Sequence, residues 1–173
     1  MIDHGYGVTL DVIPDDIEVL KKLMNWRNDP NIWKYCRQSD LITWQHHMNW
    51  YDNHSFNDSN HMYLIKSAND PVGVCGLTSI DLINRRAEFS CYVGCEFQRR
   101  GYAKRALKTL FRHGFDDLNL NLIYGETFIG NVALPLFKSL GMVEEGVRRD
   151  FYYKDGRYID AAIISLKRSE FVI

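Results

Sequence analysis

Residues 98–118 read QRRGYAKRALKTLFRHGFDDL. Counting from Ala103, Ala106, Leu107, Leu110, Phe111, Gly114 and Phe115 fall at i+3, i+4, i+7, i+8, i+11 and i+12. That continuous stripe predicts an amphipathic helix over about 101–118. The stretch before it, RRAEFSCYVG at 85–94, has the period of a strand. Ala87, Phe89, Cys91 and Val93 share one face, and Glu88, Ser90 and Tyr92 share the other. Strand, turn and helix therefore follow one another, and the turn is Gln98-Arg99-Arg100-Gly101-Tyr102-Ala103. A helix start carries unpaired backbone N–H groups and the positive end of the helix dipole, which together bind phosphate. Gly101 lets the backbone approach a ligand, and Ala103 is too small to block it. Arg99, Arg100 and Lys104 add positive charge, so a pyrophosphate suits the turn. A solvated basic turn ahead of a surface helix is the other reading of these residues. The Walker lysine–hydroxyl pair is absent, and the dinucleotide fingerprint does not fit the spacing.

Upstream of this unit, GVTLDVI at 7–13 predicts a strand. Pro14-Asp15-Asp16 opens a helix to about Asn25, with Ile17, Leu20 and Met24 at helical spacing. Asn28-Asp29-Pro30 breaks the chain, and a second helical stretch follows to about Arg37. Thr43 caps a third helix that ends near His54, and HSFNDSN is a polar loop. HMYLIKS and PVGVCGLTSI predict strands joined by a turn at Asn69-Asp70-Pro71. Downstream, NLIYGETF predicts a strand and NVALPLFKSLGM a short helix stopped at Gly141. Strands over 143–153 and 157–166 flank Lys154-Asp155-Gly156, a strong hairpin signal. The order β-α-α-α-β-β-β-α-β-α-β-β predicts a single α/β domain over 1–173, a mixed, mostly antiparallel sheet with helices packed on it.

The bulk composition excludes several classes. The 173 residues are 46% apolar and 25% charged, which is globular composition for one domain. A net charge of −1 gives no global basic field for nucleic acid. The first residues lack the basic and apolar regions of a signal peptide, and no stretch approaches the roughly 20 apolar residues of a membrane span. A cytoplasmic protein is expected. Cys36, Cys75, Cys91 and Cys95 lack Cys-x-x-Cys spacing and read as reduced core thiols. His46, His47, His54 and His61 cluster in sequence, but the adjacent His46 and His47 point to different sides of a helix. No metal site is expected there; a titrating or substrate-contacting histidine is.

QRRGYA matches Gln/Arg-x-x-Gly-x-Gly/Ala, and in that strand-to-helix context the chain resembles the GNAT superfamily of acyl-CoA N-acyltransferases. The long helix, NLIYGETF, the N…LFKSLGM helix and the DFYYKDGRYIDAAIISL hairpin follow in the family's order. The resemblance implies acetyl-CoA as cosubstrate, with its pyrophosphate on the amides of Gln98, Arg99, Arg100, Gly101, Tyr102 and Ala103. It implies a pantetheine arm paired with the strand at Tyr92 and Val93, which splays from NLIYGETF. Asn131 would contact CoA, as the family's asparagine does, but the interval to Gly141 is one residue short of the family's. Phe137 stands where the family often has a tyrosine acid for the leaving thiolate, and phenylalanine cannot donate a proton. Transfer to an amine needs a proton acceptor, because free alkyl amines are mostly protonated at neutral pH. Glu88, on the polar face of the strand leading to the cradle, is the candidate catalytic base. A surface pair with Arg85 or Arg86 is its alternative role. No nucleophile is needed for direct transfer, and Cys91 reads as core packing.

The partners implied are acetyl-CoA and an amine acceptor, without nucleic acid or membrane, for a monomer or homodimer. Trp26, Trp33, Trp44 and Trp50 all fall within residues 26–50 and can pack helices onto the sheet or wall an acceptor site. Asn25-Trp26-Arg27-Asn28-Asp29-Pro30-Asn31-Ile32, with Ile42 and His47, resembles the nucleotide-linked amino-sugar N-acetyltransferases of the pseudaminic acid pathway. GMVEEGVRRDFYYKDGRYIDAAIISL resembles the ribosomal-protein N-terminal acetyltransferases. An amino sugar is the first expectation for the acceptor, ahead of a protein N-terminus or a small amine; an acyl-CoA sensor without turnover is the alternative of another class. Arg27, Asn28, Trp44 and His47 are the candidate acceptor contacts. Arg27 would fork onto a diphosphate, or else pair with Asp29.

Overall fold

Asp16 starts the first helix by accepting hydrogen bonds from the backbone N–H groups of Glu18 and Val19 at 2.9 and 3.1 Å. The computed structural model describes residues 1–38 and 40–172, and of His54 the backbone alone. Its elements are β1 (Thr9–Val12), α1 (Ile17–Asn28), α2 (Pro30–Trp33), α3 (Trp44–His54), β2 (Phe56–Asn57), β3 (Asn60–Ser67), β4 (Asp70–Asp81) and β5 (Arg86–Val93). There follow α4 (Tyr102–Arg112), β6 (Leu122–Phe128), α5 (Leu134–Ser139), β7 (Val143–Lys154) and β8 (Arg157–Lys167). One eight-stranded sheet runs β1-β3-β4-β5-β6-β8-β7, with β2 on the side of β3. Its pairings are antiparallel apart from β5 with β6. The expected mixed sheet flanked by helices is thus present.

Period-2 alternation sends side chains to two cores. Tyr63, Ile65, Cys75, Leu77, Phe89 and Val93 face α4 and α5. Their neighbours Met62, Leu64 and Val74 face Leu20, Leu23 and Trp26 of α1. The stripe read on α4 is buried at Ala106, Leu107, Leu110 and Phe111, and π geometry over His113–Asp117 carries it on to Phe115. Asp155 and Gly156 form a two-residue hairpin turn with φ of 52° and 76°, the left-handed pair that Asp-Gly suits.

Three expectations are corrected. Ile17 is 56% exposed and Met24 half-buried, while α1 buries the expected Leu20 together with Leu23 and Trp26, a face rotated from the one its apolar spacing suggested. The second helix is one turn long, because Tyr35 and Cys36 close tight bonds to Ile32 and Trp33 rather than continuing it. The polar loop contains β2, a two-residue strand paired with Asn60 and His61.

The feature that matters most for function is the meeting of β5 and β6. They pair only at Arg86–Leu122, Ala87–Ile123 and Glu88–Tyr124. Beyond that point β5 stays with β4, up to Val93 on Gly73, and β6 stays with β8, up to Phe128 on Ala161. The sheet therefore splits into two halves that splay apart. At the point of divergence the Phe89 ring lies over Gly125 and packs edge-on against Phe111 and Phe137, with centroids 5.6 and 5.1 Å away. A Cβ on Gly125 would sit 2.6 Å from Phe89 Cε1. The ring has other aromatic rings behind it and cannot withdraw. Gly125→Ala is therefore expected to destabilise the fold by about 1–3 kcal/mol, the usual cost of overpacking a core. Chemical denaturation checks this, and an unchanged midpoint would mean that the two strands separate freely at this place.

Candidate active site at the strand divergence

The gap between β5 and β6 opens into a continuous cavity of about 1110 Å³. Residues from both faces of the sheet line it. Ala103, Leu107 and Phe137 come from the α4 and α5 side, and Arg27, Glu88 and Tyr152 come from the other. The cavity thus passes through the sheet, and a ligand on one face can meet a ligand on the other.

On the α4 side lies the cradle. Val93 ends β5, a single 3-10 turn over Cys95–Phe97 follows, and Gln98 donates from Nε2 back to the Val93 carbonyl at 3.2 Å. Arg99 has φ of 61° and Gly101 has φ of 79°, so the chain turns sharply into α4. Gly101 is the N-cap and supplies no side-chain cap. The first bond of the helix is Arg105 N–H to the Gly101 carbonyl at 3.2 Å, which leaves the N–H groups of Tyr102, Ala103 and Lys104 ahead of the ladder. A Cβ on Gly101 would meet no atom within 4 Å, so this backbone faces open space. Gln98, Arg99, Gly101, Tyr102 and Ala103 line the cavity, and Lys104 and Val93 do so too. Arg100 is exposed outside the cavity lining, with its guanidinium 6.0 Å from the Phe97 ring and its carbonyl held by Arg105.

Along the gap, the edge of β5 from Phe89 to Val93 that would continue towards β6 has no strand partner among the described residues. A linear chain with amide groups can pair with it. Tyr92 lines the cavity from the α1 side, under the Arg27 guanidinium at 5.5 Å from the ring centroid, and burial pushes its hydroxyl well up. Cys91 also lines the cavity, but burial pushes its thiol up to about 12, which keeps it a thiol rather than a nucleophilic thiolate at neutral pH. All four cysteines are free thiols. Asn131 reaches the cavity wall, yet its amide is engaged locally. Oδ1 accepts from Ala133 N–H at 2.9 Å, and Nδ2 donates to Thr127 Oγ1 at 2.7 Å. Pro135 sits in the first turn of α5, the one place in a helix where its missing N–H costs nothing. Phe137 lines the cavity and is 8% exposed, so the expected tyrosine position is filled by an apolar ring.

On the other side of the sheet, Glu88 points into the cavity and is ion-paired with Arg37. Of the two alternative partners, Arg86 pairs with Asp81 at 3.4 Å. Glu126 of β6 is a second carboxylate in the same wall, ion-paired with Arg148 and accepting from the Tyr152 hydroxyl at 2.8 Å. Burial and that hydrogen bond push the Tyr152 hydroxyl up to about 12. For Arg37, burial opposes the charge, but the hydrogen bond and attraction of Glu88, with further attraction from Tyr152 and Glu126, hold the guanidinium above its usual range. Sequence reading missed Arg37, Glu126 and Tyr152. Each lies on a different element from Glu88, and no local spacing links them.

Of the four candidate acceptor contacts, Arg27 and His47 line the cavity. Arg27 does not pair with Asp29. Its terminal nitrogens donate to Cys36 Sγ at 3.2 Å and to Gln38 Oε1, while Asp29 caps α2 through Asn31 N–H at 2.8 Å. His47 is 3% exposed and stacks on Trp50 at 5.3 Å, and burial lowers its affinity for a proton. Asn28 and Trp44 are placed outside the cavity lining. The Asn28 amide closes a two-way latch with the backbone of Ile42, both bonds at 2.8 Å, and so joins α1 to the start of α3. Trp44 leans on His47 at 6.0 Å and packs into the α1 core. Neither lines the cavity. Among the described residues no group of three or more His, Cys, Asp or Glu side chains could hold a metal ion, and no helix is long and apolar enough to cross a membrane. The side chain of His54 lies outside the described residues.

Residues 9–143 match the acetyltransferase (GNAT) domain family. The chain belongs to that family. It is 26% identical over 155 residues to spermidine N(1)-acetyltransferase of Vibrio cholerae, a match covering 88% of this chain and 90% of that protein. It is 34% identical over 109 residues to the uncharacterized N-acetyltransferase p20 of Bacillus licheniformis, covering 62% of this chain and 61% of that one. The crystal structure of spermidine N-acetyltransferase from Vibrio cholerae in complex with CoA and spermine superposes with a TM-score of 0.87 at 25% identity, over 95% of this chain and 97% of that one. This GNAT enzyme is thus an acetyl-CoA-dependent N-acetyltransferase.

Gly101→Val is expected to weaken CoA binding at least tenfold, since it loads side-chain bulk onto the open side of charge-assisted N–H contacts and disfavours the left-handed turn. Titration calorimetry on the variant, with its melting temperature as control for folding, reads this. Wild-type CoA affinity in a folded Gly101→Val protein would remove the turn from the donor site.

Proposed function

We propose that the acceptor is a small primary amine, with spermidine-like polyamines as the first candidates, and that Glu88 takes the proton as the amine attacks the acetyl thioester. The carrying observation is the position of Glu88. It is the last residue of β5 paired to β6, and its side chain enters the cavity on the face opposite the cradle. Acetyl-CoA held by the amides at Tyr102 to Lys104 and paired along the free edge of β5 brings its thioester to the gap from one side. The amine enters from the other, passing a wall that carries two carboxylates. Backbone N–H groups on the free edge are the donors that face the developing oxyanion. The thiolate then leaves with the CoA. Phe137 supplies no proton to it, and Tyr92 and Tyr152 are tyrosine hydroxyls on the acceptor side.

The relatives named for spermidine support the small-amine reading, as does the pairing of acidic groups with an amine site. A nucleotide-linked sugar finds less here. Arg27, the residue suited to fork onto a diphosphate, has its terminal nitrogens engaged by Cys36 and Gln38. Release of free thiol from acetyl-CoA is the assay, run with spermidine, spermine, simple diamines, N-terminal peptides and UDP-amino sugars. Polyamines or short amines are expected to turn over best. Turnover restricted to peptides or nucleotide sugars would overturn the acceptor, and saturable CoA binding with no turnover on any amine would overturn catalysis. With the best acceptor, Glu88→Gln is expected to lower kcat by about 10²-fold while CoA affinity holds. A wild-type rate would pass the proton to water or another group.

A further inference from the structure

Lys154 ends β7 beside the hairpin turn, where a lysine is ordinarily solvated, yet it is 3% exposed. Its ammonium donates to three backbone carbonyls, those of Trp33 at 2.6 Å, Cys36 at 2.8 Å and Gln38 at 3.0 Å. It also lies 3.8 Å from the centroid of the Trp33 ring. An ammonium has three N–H donors, and here all three have a partner. The Trp33 carbonyl ends the one-turn helix α2, where it also accepts from Cys36 N–H at 2.9 Å, and the carbonyls of Cys36 and Gln38 belong to the chain that leaves it. Burying a lysine is unfavourable, and burial does lower its proton affinity. A buried cation satisfied only by neutral carbonyls is an expensive way to seal a loop, so its position is informative.

Cys36 and Gln38 are the residues on either side of Arg37. The two carbonyls that Lys154 holds thus flank the residue whose guanidinium reaches Glu88. Arg27 grips the same two residues by their side chains, through Cys36 Sγ and Gln38 Oε1. The segment is fixed from the sheet side by Lys154 and from α1 by Arg27. Arg37 is left to point at the cavity. Its contact with Glu88 spans 51 positions of sequence, and the Lys154 contacts span 116 to 121.

The geometry points to Lys154 as a positioning residue of the acceptor wall: by holding the carbonyls on both sides of Arg37, it delivers the Arg37 guanidinium to Glu88 and so orients that carboxylate for the incoming amine. This rests on the proposed role of Glu88, but the placement of Arg37 can be read without turnover. Lys154→Met keeps the stem and removes the donors. Arg37→Met removes the group that the clasp delivers, and the double variant combines them. The first readout is the side-chain Nε–H signal of Arg37 in a ¹⁵N spectrum of the free protein, assigned by its loss in Arg37→Met. In Lys154→Met it is expected to move to the position and rapid exchange of a solvated arginine. The second readout is kinetic. Each single variant is expected to lower acceptor kcat/KM about tenfold, the double variant no further, as for residues acting in one network. CoA affinity is expected to stay at the wild-type value in all three.

An Arg37 signal that stays in place in folded Lys154→Met, or losses that multiply in the double variant, would overturn the proposal. Melting temperatures establish folding, and if Lys154→Met does not fold, Lys154→Gln is read by the same two criteria. A wild-type rate in Glu88→Gln would remove the proton-acceptor reading alone, because the Arg37 signal still reports whether Lys154 places it.

Discussion

The parting of β5 from β6 after Glu88 and Tyr124 is the constraint on which the rest of the site depends. A parallel pair continued to the end of both strands would close the sheet and leave nowhere for two substrates to meet. Instead β4 keeps one strand and β8 the other, and the unpaired edge of β5 faces a gap. The pairing of Phe89 with Gly125 supports this arrangement, with a large ring over a residue that has no side chain. The ring also ties the gap to α4 and α5 through Phe111 and Phe137. From the gap, the cradle is reached in a few residues of chain, since β5 ends at Val93 and α4 begins at Tyr102. The positive helix start and the open strand edge are therefore consecutive parts of one site.

The cavity face opposite the start of α4 is built differently. No single segment makes it. Glu88 comes from β5, Glu126 from β6, Tyr152 from β7 and Arg37 from the chain between α2 and α3. Two carboxylates held by two guanidiniums give a wall that is charged but locally balanced. Such a wall suits an amine that must arrive close to acidic groups and shed its proton. None of the described residues of the loop that completes it is fully buried, and Lys154, Arg27 and the Asn28 latch fix it through polar contacts.

How much of this was legible in the sequence follows from the range of the contacts. The strand, turn and helix start were readable because they lie in one continuous run from Arg86 to Arg112, each signal reinforcing the next. The final hairpin was readable because Asp-Gly fixes its turn locally. Glu88 was placed on the right face by period-2 alternation alone. Its arginine was not, because Arg37 is distant in sequence while Arg85 and Arg86 are adjacent. Arg100 was grouped with the cradle by its place in the motif, although its side chain turns outward. Asn28 was read as an acceptor contact through a resemblance and Trp44 through the clustering of tryptophans, and neither says which face of a helix meets the cavity. The buried role of Lys154 had no signal at all, since a lysine before Asp-Gly looks like any solvated turn.

The central claim is that CoA lies across the divergence, with its phosphates at the start of α4 and its arm along β5. Backbone amide shifts on titration with CoA test this most directly. The largest changes are expected at Gly101 to Lys104 and along Phe89 to Val93, with little change at β1 or β3. Changes centred elsewhere, with the α4 start unmoved, would contradict it.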